Sequence, residues 1–299
     1  MLKYRLTFGP LLIIALVAVI WLDEFLQAQT RGSLGLDNGI PGLVLIPIMA
    51  AAVVVACREI APIFHALDTR ASKRVLTAAA LLGLATSAFT PDTIASFSGV
   101  AITCTAAAIV LVGAMLFYSR HKTTEGVVAA TSAALTAFVY LGVMFGFLFV
   151  LRKEFTAWHV LAILAVTKAY DIGAYFTGRA IGRHKLIPWL SPGKTWEGLA
   201  GGLVLAAAVA AAASAIATAA AGQQPPGAGI GPLRAAALGL IIGLVGQAGD
   251  LVASVLKRDA GVKDYAKTLP GFGGVLDVID SPLLVAPIAY WLLVLDSAA

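Results

Sequence analysis

The polar residues that could do chemistry are concentrated near the C-terminal end of an otherwise apolar chain. Asp250, Ser254 and Lys257 recur at spacings of four and three, which places them on one face of a helix. Arg258 follows Lys257 directly. Because a charged residue inside an apolar segment is costly, it is functional by default. The alternative is a helix end whose charged side chains reach the membrane surface and pair with one another.

A glycine-rich turn follows, with Gly273 and Gly274 at its centre. Such a turn lets backbone N–H groups approach a phosphate closely. Asp277 and Asp280 come next, three residues apart, so they face the same way on a helical turn. Carboxylates suit Mg²⁺, which takes oxygen ligands and shares them with substrate phosphates. With Asp250, these two aspartates are the predicted metal ligands.

Basic residues alternate with these acids and could neutralise a polyphosphate. Lys257, Arg258 and Lys263 are the predicted cations, and Asp264 follows Lys263 directly. Phosphoryl and nucleotidyl transfer need this combination of acids for a metal ion and bases for phosphate. The same stretch therefore favours a transfer reaction on a nucleotide.

The rest of the chain predicts a polytopic, all-α integral membrane protein. Hydrophobic residues make up 60% of its 299 residues and charged residues only 12%, whereas a soluble domain has about 25% charged residues. A membrane-spanning helix needs about 20 apolar residues. About nine spans are predicted: Phe8–Leu22, Ile40–Cys57, Val75–Thr90, Ser98–Tyr118, Gly126–Val150, Ala157–Phe176, Leu199–Ala221, Leu233–Ala253 and Ser281–Leu295.

The distribution of Lys and Arg over the loops predicts the orientation. The N-terminus and the even-numbered loops are rich in basic residues, so we expect them, and with them a cytosolic-side active site, in the cytoplasm. Arg152 and Lys153 in the fifth loop run weakly against this orientation. The first span resembles a signal peptide, but Asp23 and Glu24 follow it directly, which favours a retained span.

We expect one integral membrane domain over residues 1–299. Its N-terminal spans would occupy 1–150, and its catalytic helices and loops 151–299. Small residues of the seventh span should let helices approach closely: Gly201, Gly202, Ala206 and Ala210.

The motifs of the last third resemble those of the phosphatidate cytidylyltransferase (CDP-diacylglycerol synthase) family. The resemblance begins at Ser254-Val-Leu-Lys257-Arg258, continues through Lys263-Asp264, Leu269-Pro270 and Gly273-Gly274-Val275, and ends at Asp277 and Asp280. A second block runs from Asp171 to Arg179 and from Ser191 to Gly198. The chain departs from the family pattern at Phe272, Val278 and Gly193, where the family has His, Arg and Lys.

The resemblance implies that CTP and phosphatidate react to give CDP-diacylglycerol and pyrophosphate. It also implies Mg²⁺, with room for a second cation such as K⁺, bilayer lipids as surroundings, a homodimer and no nucleic-acid partner. We expect the membrane to be the inner membrane of a prokaryotic cell. The implied catalytic residues are Lys257, Arg258, Lys263 and Asp264. The implied substrate-binding residues are Asp171, Tyr175, Arg179, Lys194, Glu197, Ser254, Gly273 and Gly274.

Simpler explanations exist for parts of the second block. Ser191 and Pro192 could start a helix, Trp196 could anchor the chain at the membrane surface, and Arg179 could bind lipid headgroups. None of these explanations accounts for the occurrence of Asp171, Lys194 and Glu197 in the same block.

Three other functions remain open. A CTP-dependent polyprenol kinase would share the basic loops and metal aspartates, and a substrate panel would distinguish it. An ion-coupled transporter would use Lys168, Asp171 and Asp250 as a path through the membrane. An inactive member of the family is suggested by Phe272 and Val278.

Overall fold

The computed structural model describes residues 2–34, 39–88, 97–120, 122, 124–220, 230–269, 271 and 273–297, and these residues are mostly helical. The all-α prediction is therefore confirmed. The elements, in chain order, are α1 (Leu2–Leu34), α2 (Leu45–Ala66), α3 (Lys73–Ala88), α4 (Phe97–Ser119), α5 (Val127–Thr136), a π-helical segment (Ala137–Val143), α6 (Met144–Glu154), α7 (Ala157–Ile181), β1 (Lys185–Ile187), β2 (Ser191–Thr195), α8 (Trp196–Ala220), α9 (Pro232–Asp259) and α10 (Val275–Ser297).

Eight helical segments of the described chain are long and apolar enough to cross a membrane. The chain is thus a multi-pass integral membrane protein. The third predicted span corresponds to α3, which is a helix of only 16 residues. At 1.5 Å per residue it is about 24 Å long, shorter than the roughly 30 Å of a bilayer's hydrocarbon core. The first and last predicted spans, which are short in the sequence, lie in the longer helices α1 and α10.

The chain divides into two compact units, and the first comprises Met1–Ala157 and Leu256–Ile279. In this unit the short helix α3 packs against α2, α4, α6 and the π-helical segment. The helix α3 and the π-helical segment approach each other closely at Gly83 and Gly142, since a Cβ atom on Gly142 would lie 2.8 Å from the Gly83 Cα. Small residues at this crossing let the two backbones touch.

A buried ion pair ties three helices of the first unit together. Arg152 near the end of α6 donates from Nε to the Asp23 carboxylate of α1 at 2.6 Å, and the two side chains are 1% and 0% exposed. Asp23 also accepts the backbone N–H groups of Val44 and Leu45 at the start of α2. A carboxylate at this position satisfies amides that the helix itself leaves without partners. The fifth-loop arginine of the sequence is therefore a buried structural residue.

The second unit comprises Trp158–Val255 and Asp280–Ala299. Its helices approach one another over small residues, as the sequence predicts for α8. A Cβ atom on Gly202 would lie 2.7 Å from the Tyr170 ring, and one on Gly239 of α9 would lie 2.7 Å from the Ala210 Cβ.

A short antiparallel hairpin of β1 and β2 leads into α8. The alternative in which Ser191 starts a helix is wrong, because Ser191 begins a strand and the helix starts only at Trp196. Thr195 takes the capping role, since its Oγ1 accepts the Gly198 N–H at 3.1 Å. This satisfies one of the amides at the start of α8.

Candidate active site

The first charged cluster belongs to the first unit and joins the end of α9 to the start of α10. The Lys257 ammonium lies 2.9 Å from the Asp277 Oδ1, with the two side chains 10% and 8% exposed. The ammonium also lies 5.0 Å from the centre of the Tyr265 ring, a distance at which a cation is attracted to the ring face. Since removing one partner of a buried pair leaves an uncompensated charge, each residue depends on the other.

Asp277 also organises the segment between the two helices, which we call the α9–α10 loop (residues 260–274). Its Oδ2 accepts the Gly274 N–H at 2.8 Å and the Tyr265 N–H at 3.0 Å. One oxygen therefore binds the ammonium and the other binds two backbone amides. This carboxylate fixes the loop from inside the first turn of α10.

The glycine pair has a steric reason in this loop. Gly273 has φ +96°, and a Cβ atom there would lie 2.7 Å from the Asp277 Oδ2. A Cβ atom on Gly274 would lie 2.5 Å from the Glu59 Oε2. Only glycine allows both carboxylates to come this close. The Gly273 N–H donates to the Leu269 carbonyl and the Gly274 N–H to Asp277, so contact of these amides with a phosphate stays a prediction.

Glu59 on α2 is part of the same cluster and did not emerge from the sequence motifs. It is 5% exposed. Its carboxylate accepts hydrogen bonds from the Thr268 Oγ1 at 2.5 Å, the Val275 N–H at 3.0 Å and the Leu276 N–H at 2.8 Å. It therefore contacts both the α9–α10 loop and the first turn of α10.

The second charged cluster belongs to the second unit. Lys194 of β2 forms an ion pair with Asp250 of α9, and their side chains are 19% and 34% exposed. Lys168 and Asp171 form a second pair on α7 at 3.1 Å. Electrostatic interactions link Asp171 to both Asp250 and Lys194. The two acids and two lysines thus form one group that the sequence separates into two blocks.

A polar pair lies beside this group in the interior of the second unit. The Tyr170 hydroxyl donates to the Gln247 Oε1 at 3.0 Å. Among the described residues, the buried Gln247 Nε2 has no hydrogen-bond partner. Buried polar groups in proteins are nearly always paired, so an unpaired one is an exception. The Gln247 Nε2 can therefore still donate a hydrogen bond, one helical turn before Asp250.

The described residues do not by themselves form a magnesium site made of three or more acidic, histidine or cysteine side chains. Mg²⁺ is, however, usually held by one or two carboxylates together with substrate phosphates. Asp250 and the buried Asp280, whose Oδ1 accepts the Ser281 N–H at 2.7 Å, suit that mode in their chemistry. Both oxygens of Asp277 already accept hydrogen bonds from Lys257 and from two backbone amides. The role of Asp277 as a metal ligand therefore stays a prediction.

The remaining predicted residues have diverse surroundings. Glu197 accepts the Arg183 N–H at 3.1 Å and contacts the His184 Nδ1 at 2.6 Å, so it holds the turn before β1. Arg179 donates to the Tyr175 hydroxyl at 2.8 Å on the exposed face of α7.

Four more predicted residues lie at the end of α9 and in the loop after it. Arg258 donates to the Val262 carbonyl at 3.2 Å. Lys263 and Asp264 are exposed in the α9–α10 loop, and Ser254 is half-buried on α9.

Comparison with known proteins gives the family of this chain. Residues 38–296 match the sequence profile described as the cytidylyltransferase family. The chain belongs to the cytidylyltransferase family. The match covers most of both units, so family membership extends beyond the motifs of the last third.

Individual relatives of this cytidylyltransferase-family chain match shorter regions. The phosphatidate cytidylyltransferase of Bacillus subtilis is 37% identical over 163 residues, which are 54% of this chain and 57% of the relative. That of Pseudomonas aeruginosa is 46% identical over 129 residues, 43% of this chain and 45% of the relative. An uncharacterized protein of Escherichia coli, YnbB, is 42% identical over 132 residues, which are 44% of this chain and 41% of the relative. The chain thus spans about half the length of these curated relatives.

The three departures from the family pattern have different surroundings in this cytidylyltransferase-family chain. Gly193 is exposed on β2, and a Cβ atom there would meet nothing within 4 Å. Val278 is half-buried on α10. Phe272, like Pro270 of the motif, lies outside the described residues.

The sequence does mark Glu59 as unusual, although no motif includes it. Glu59 stands in an apolar segment of α2, and a charge in such a segment needs a partner or a function. Its partners Thr268, Val275 and Leu276 are more than 200 residues away in sequence, the first at a separation of 209.

Proposed function

We propose that this chain is a phosphatidate cytidylyltransferase that joins CTP to phosphatidate and releases pyrophosphate. The observation that carries the proposal is the buried pair of Lys257 and Asp277, anchored by two amides of the α9–α10 loop. A cation held in a fixed place beside exposed basic residues suits a polyphosphate. The relatives named above as phosphatidate cytidylyltransferases support the same substrates.

In the proposed reaction, a phosphate oxygen of phosphatidate attacks the α-phosphorus of CTP. The new bond forms in line with the bond from the α-phosphorus to the oxygen that bridges to the β-phosphorus. That second bond breaks, and pyrophosphate leaves with the electron pair. The lipid phosphate is already an anion, so no covalent enzyme nucleophile is needed. The protein's contribution is to position the two phosphates and to stabilise charge.

The basic residues of the first unit divide this work by their exposure. Arg258 and Lys263 are exposed and are proposed to bind the outer phosphates of CTP. Lys257 is buried and held by Asp277, so it is proposed to offer a fixed charge to the phosphate oxygens. In this scheme Asp264 orients one of the neighbouring cations.

The second unit is proposed to hold the cation cofactor. Asp250 and Asp280 would bind Mg²⁺, and K⁺ is the predicted second cation. The metal role of Asp277, which lies in the first unit, stays a separate prediction. Bound Mg²⁺ would neutralise charge on the nucleotide phosphates. Lys194 and Lys168 lie against Asp250 and Asp171, and they are proposed to exchange these partners for substrate phosphates. Tyr175, Arg179, Glu197 and Ser254 remain proposed substrate-binding or orienting residues.

Membrane placement follows from the two substrates. The acyl chains of phosphatidate stay in the bilayer, whereas CTP is dissolved in the cytoplasm. We therefore propose that the site opens at the cytoplasmic surface of a prokaryotic inner membrane and that the N-terminus is cytoplasmic, as the basic loops predict. A homodimer stays a prediction, as does the lack of a nucleic-acid partner.

The proposal is tested by pyrophosphate release from the purified protein in detergent, with CTP, Mg²⁺ and phosphatidate each omitted in turn. We expect release only when all three are present, with CDP-diacylglycerol as the lipid product. Replacing phosphatidate with a polyprenol tests the kinase alternative. A folded protein that transfers phosphate to the polyprenol, and gives no product with phosphatidate, would overturn the proposal.

A further inference from the structure

A buried carboxylate of α2 grips the α9–α10 loop, and no motif of the last third includes it. Glu59 is 5% exposed. Its Oε1 accepts the Thr268 hydroxyl at 2.5 Å and the Val275 N–H at 3.0 Å, while its Oε2 accepts the Leu276 N–H at 2.8 Å. Hydrogen bonds to an ionised acceptor are about twice as strong as neutral ones.

Glu59 and Asp277 hold the same residue from two sides. The Gly274 N–H donates to Asp277 at 2.8 Å. On its other side, Gly274 leaves so little space that a Cβ atom would lie 2.5 Å from Glu59. A displacement of the Glu59 carboxylate would therefore move Gly274. Because Gly274 donates to Asp277, it would also shift the Asp277 carboxylate that binds Lys257.

Glu59 also satisfies amides that α10 cannot satisfy itself. The first N–H groups of a helix have no acceptor within that helix, and a carboxylate near them is favourable because of the helix dipole. In α10, Val275 and Leu276 are the first two residues. Their acceptor comes from a different helix, so the start of α10 is tied to α2.

We infer that Glu59 is a positioning residue for nucleotide binding: it holds the α9–α10 loop so that Asp277 and Lys257 keep the arrangement that receives CTP. This inference rests on the proposed function for the identity of the nucleotide. It assigns a role in the site to a helix of the N-terminal half, where the sequence predicts only membrane spans.

Four variants of the full-length protein separate positioning from general stability. Glu59→Gln keeps the size of the side chain but loses the charge and brings an N–H₂ group against amide donors. Thr268→Val removes the hydroxyl at nearly constant shape, whereas Thr268→Ser keeps it. Glu24→Gln is the matched control, because Glu24 is a carboxylate of the same unit that accepts from Arg152 at 3.3 Å and from the Ala157 N–H at 3.2 Å.

The first readout is hydrogen–deuterium exchange of peptides covering 260–276, which needs no substrate. We expect exchange in this segment to be roughly ten-fold faster in Glu59→Gln, because at least one charge-assisted hydrogen bond is lost. Thr268→Val should shift the same peptides in the same direction, Thr268→Ser should match the wild type, and Glu24→Gln should leave these peptides unchanged.

The second readout is the pair of kinetic constants for CTP. When the competent loop is only partly populated, apparent affinity falls by that fraction, so KM for CTP should rise several-fold in Glu59→Gln with kcat little changed. Saturating CTP should also restore slow exchange in the loop. KM for phosphatidate should change less.

Two results would overturn the inference. One is loop exchange in Glu59→Gln that equals the wild type. The other is an increase spread evenly over the chain, with kcat falling and KM for CTP unchanged, which would mark a purely structural residue. If the wild type shows no CTP-dependent reaction, the proposed function fails, while the exchange pattern still decides whether Glu59 positions the loop.

Discussion

The Lys257 ammonium and the Asp277 carboxylate, 20 residues apart in sequence, meet at 2.9 Å with both side chains almost fully buried. The pair closes the base of the α9–α10 loop, because Lys257 lies near the end of α9 and Asp277 in the first turn of α10. The remaining oxygen of Asp277 holds two amides of this loop and of the glycine pair. One carboxylate thus organises a cation and the backbone around it.

Replacing Asp277 by alanine should destabilise the first unit and abolish pyrophosphate release. The change leaves Lys257 buried without its counter-charge, and breaking a buried pair in this way costs about 3–5 kcal/mol. Thermal unfolding in detergent, followed by near-UV circular dichroism, measures the loss. The control is Asp296→Asn, which removes an ion pair of 3.9 Å with the largely exposed Arg234. If the melting temperature falls equally in the two variants, the Lys257–Asp277 pair does not stabilise the protein more than the exposed pair does.

Adding a single methyl group at Gly274 should disturb the α9–α10 loop. The Cβ atom of Gly274→Ala would lie 2.5 Å from the Glu59 Oε2, so the loop or α2 must move, at a cost of about 1–3 kcal/mol. Gly193→Ala is the matched control, because a Cβ atom there meets nothing within 4 Å. We expect a lower melting temperature and less pyrophosphate release only for Gly274→Ala. A Gly274→Ala protein that behaves as the Gly193→Ala protein does would show that the packing around Glu59 is loose.

Replacing Asp250 by asparagine should reduce activity by about 100-fold or more and raise the Mg²⁺ concentration needed for half-maximal rate. Substitutions even around the ligands of a metal site reduce affinity or activity by about 10–100-fold. Titrating Mg²⁺ into the protein after treatment with a chelator measures both effects. Asp259→Asn, an exposed aspartate on the same helix, should leave the titration unchanged. An unaltered Mg²⁺ requirement in Asp250→Asn would remove Asp250 from the proposed ligands.

Replacing Arg152 by methionine should destabilise the protein without a direct effect on substrate affinity. Asp23 would remain fully buried with no cation beside it, and loss of one partner of such a pair costs about 3–5 kcal/mol. Thermal unfolding and the KM for CTP are measured on the folded fraction, with Lys153→Met as the control. A changed KM for CTP at unchanged melting temperature would contradict this structural role.

The membrane class, the helical spans and the chemical character of the site follow from local sequence. A run of about 20 apolar residues can satisfy its backbone in a bilayer only as a helix or within a closed barrel, so such runs identify α4, α8 and α9 without knowledge of their partners. Spacings of three and four also reveal neighbours on one helix, such as Lys168 and Asp171, which form an ion pair at 3.1 Å. The sequence predictions differ from the structure at two short elements, the helix α3 and the strand at Ser191. The length of α3 and the formation of this strand depend on packing against the rest of the chain.

Only the tertiary structure decides which acid meets which base. In sequence, Asp250 shares a helical face with Lys257, and Asp277 lies three residues before Asp280, which suggests that each pair acts together. In the structure Asp250 pairs with Lys194 and Asp277 pairs with Lys257, because contacts over long sequence separations are determined by how helices pack. Glu59 is the clearest case. Its buried carboxylate is unfavourable as an isolated charge in an apolar helix, and the fold brings to it the hydroxyl and the two amides that make its burial tolerable.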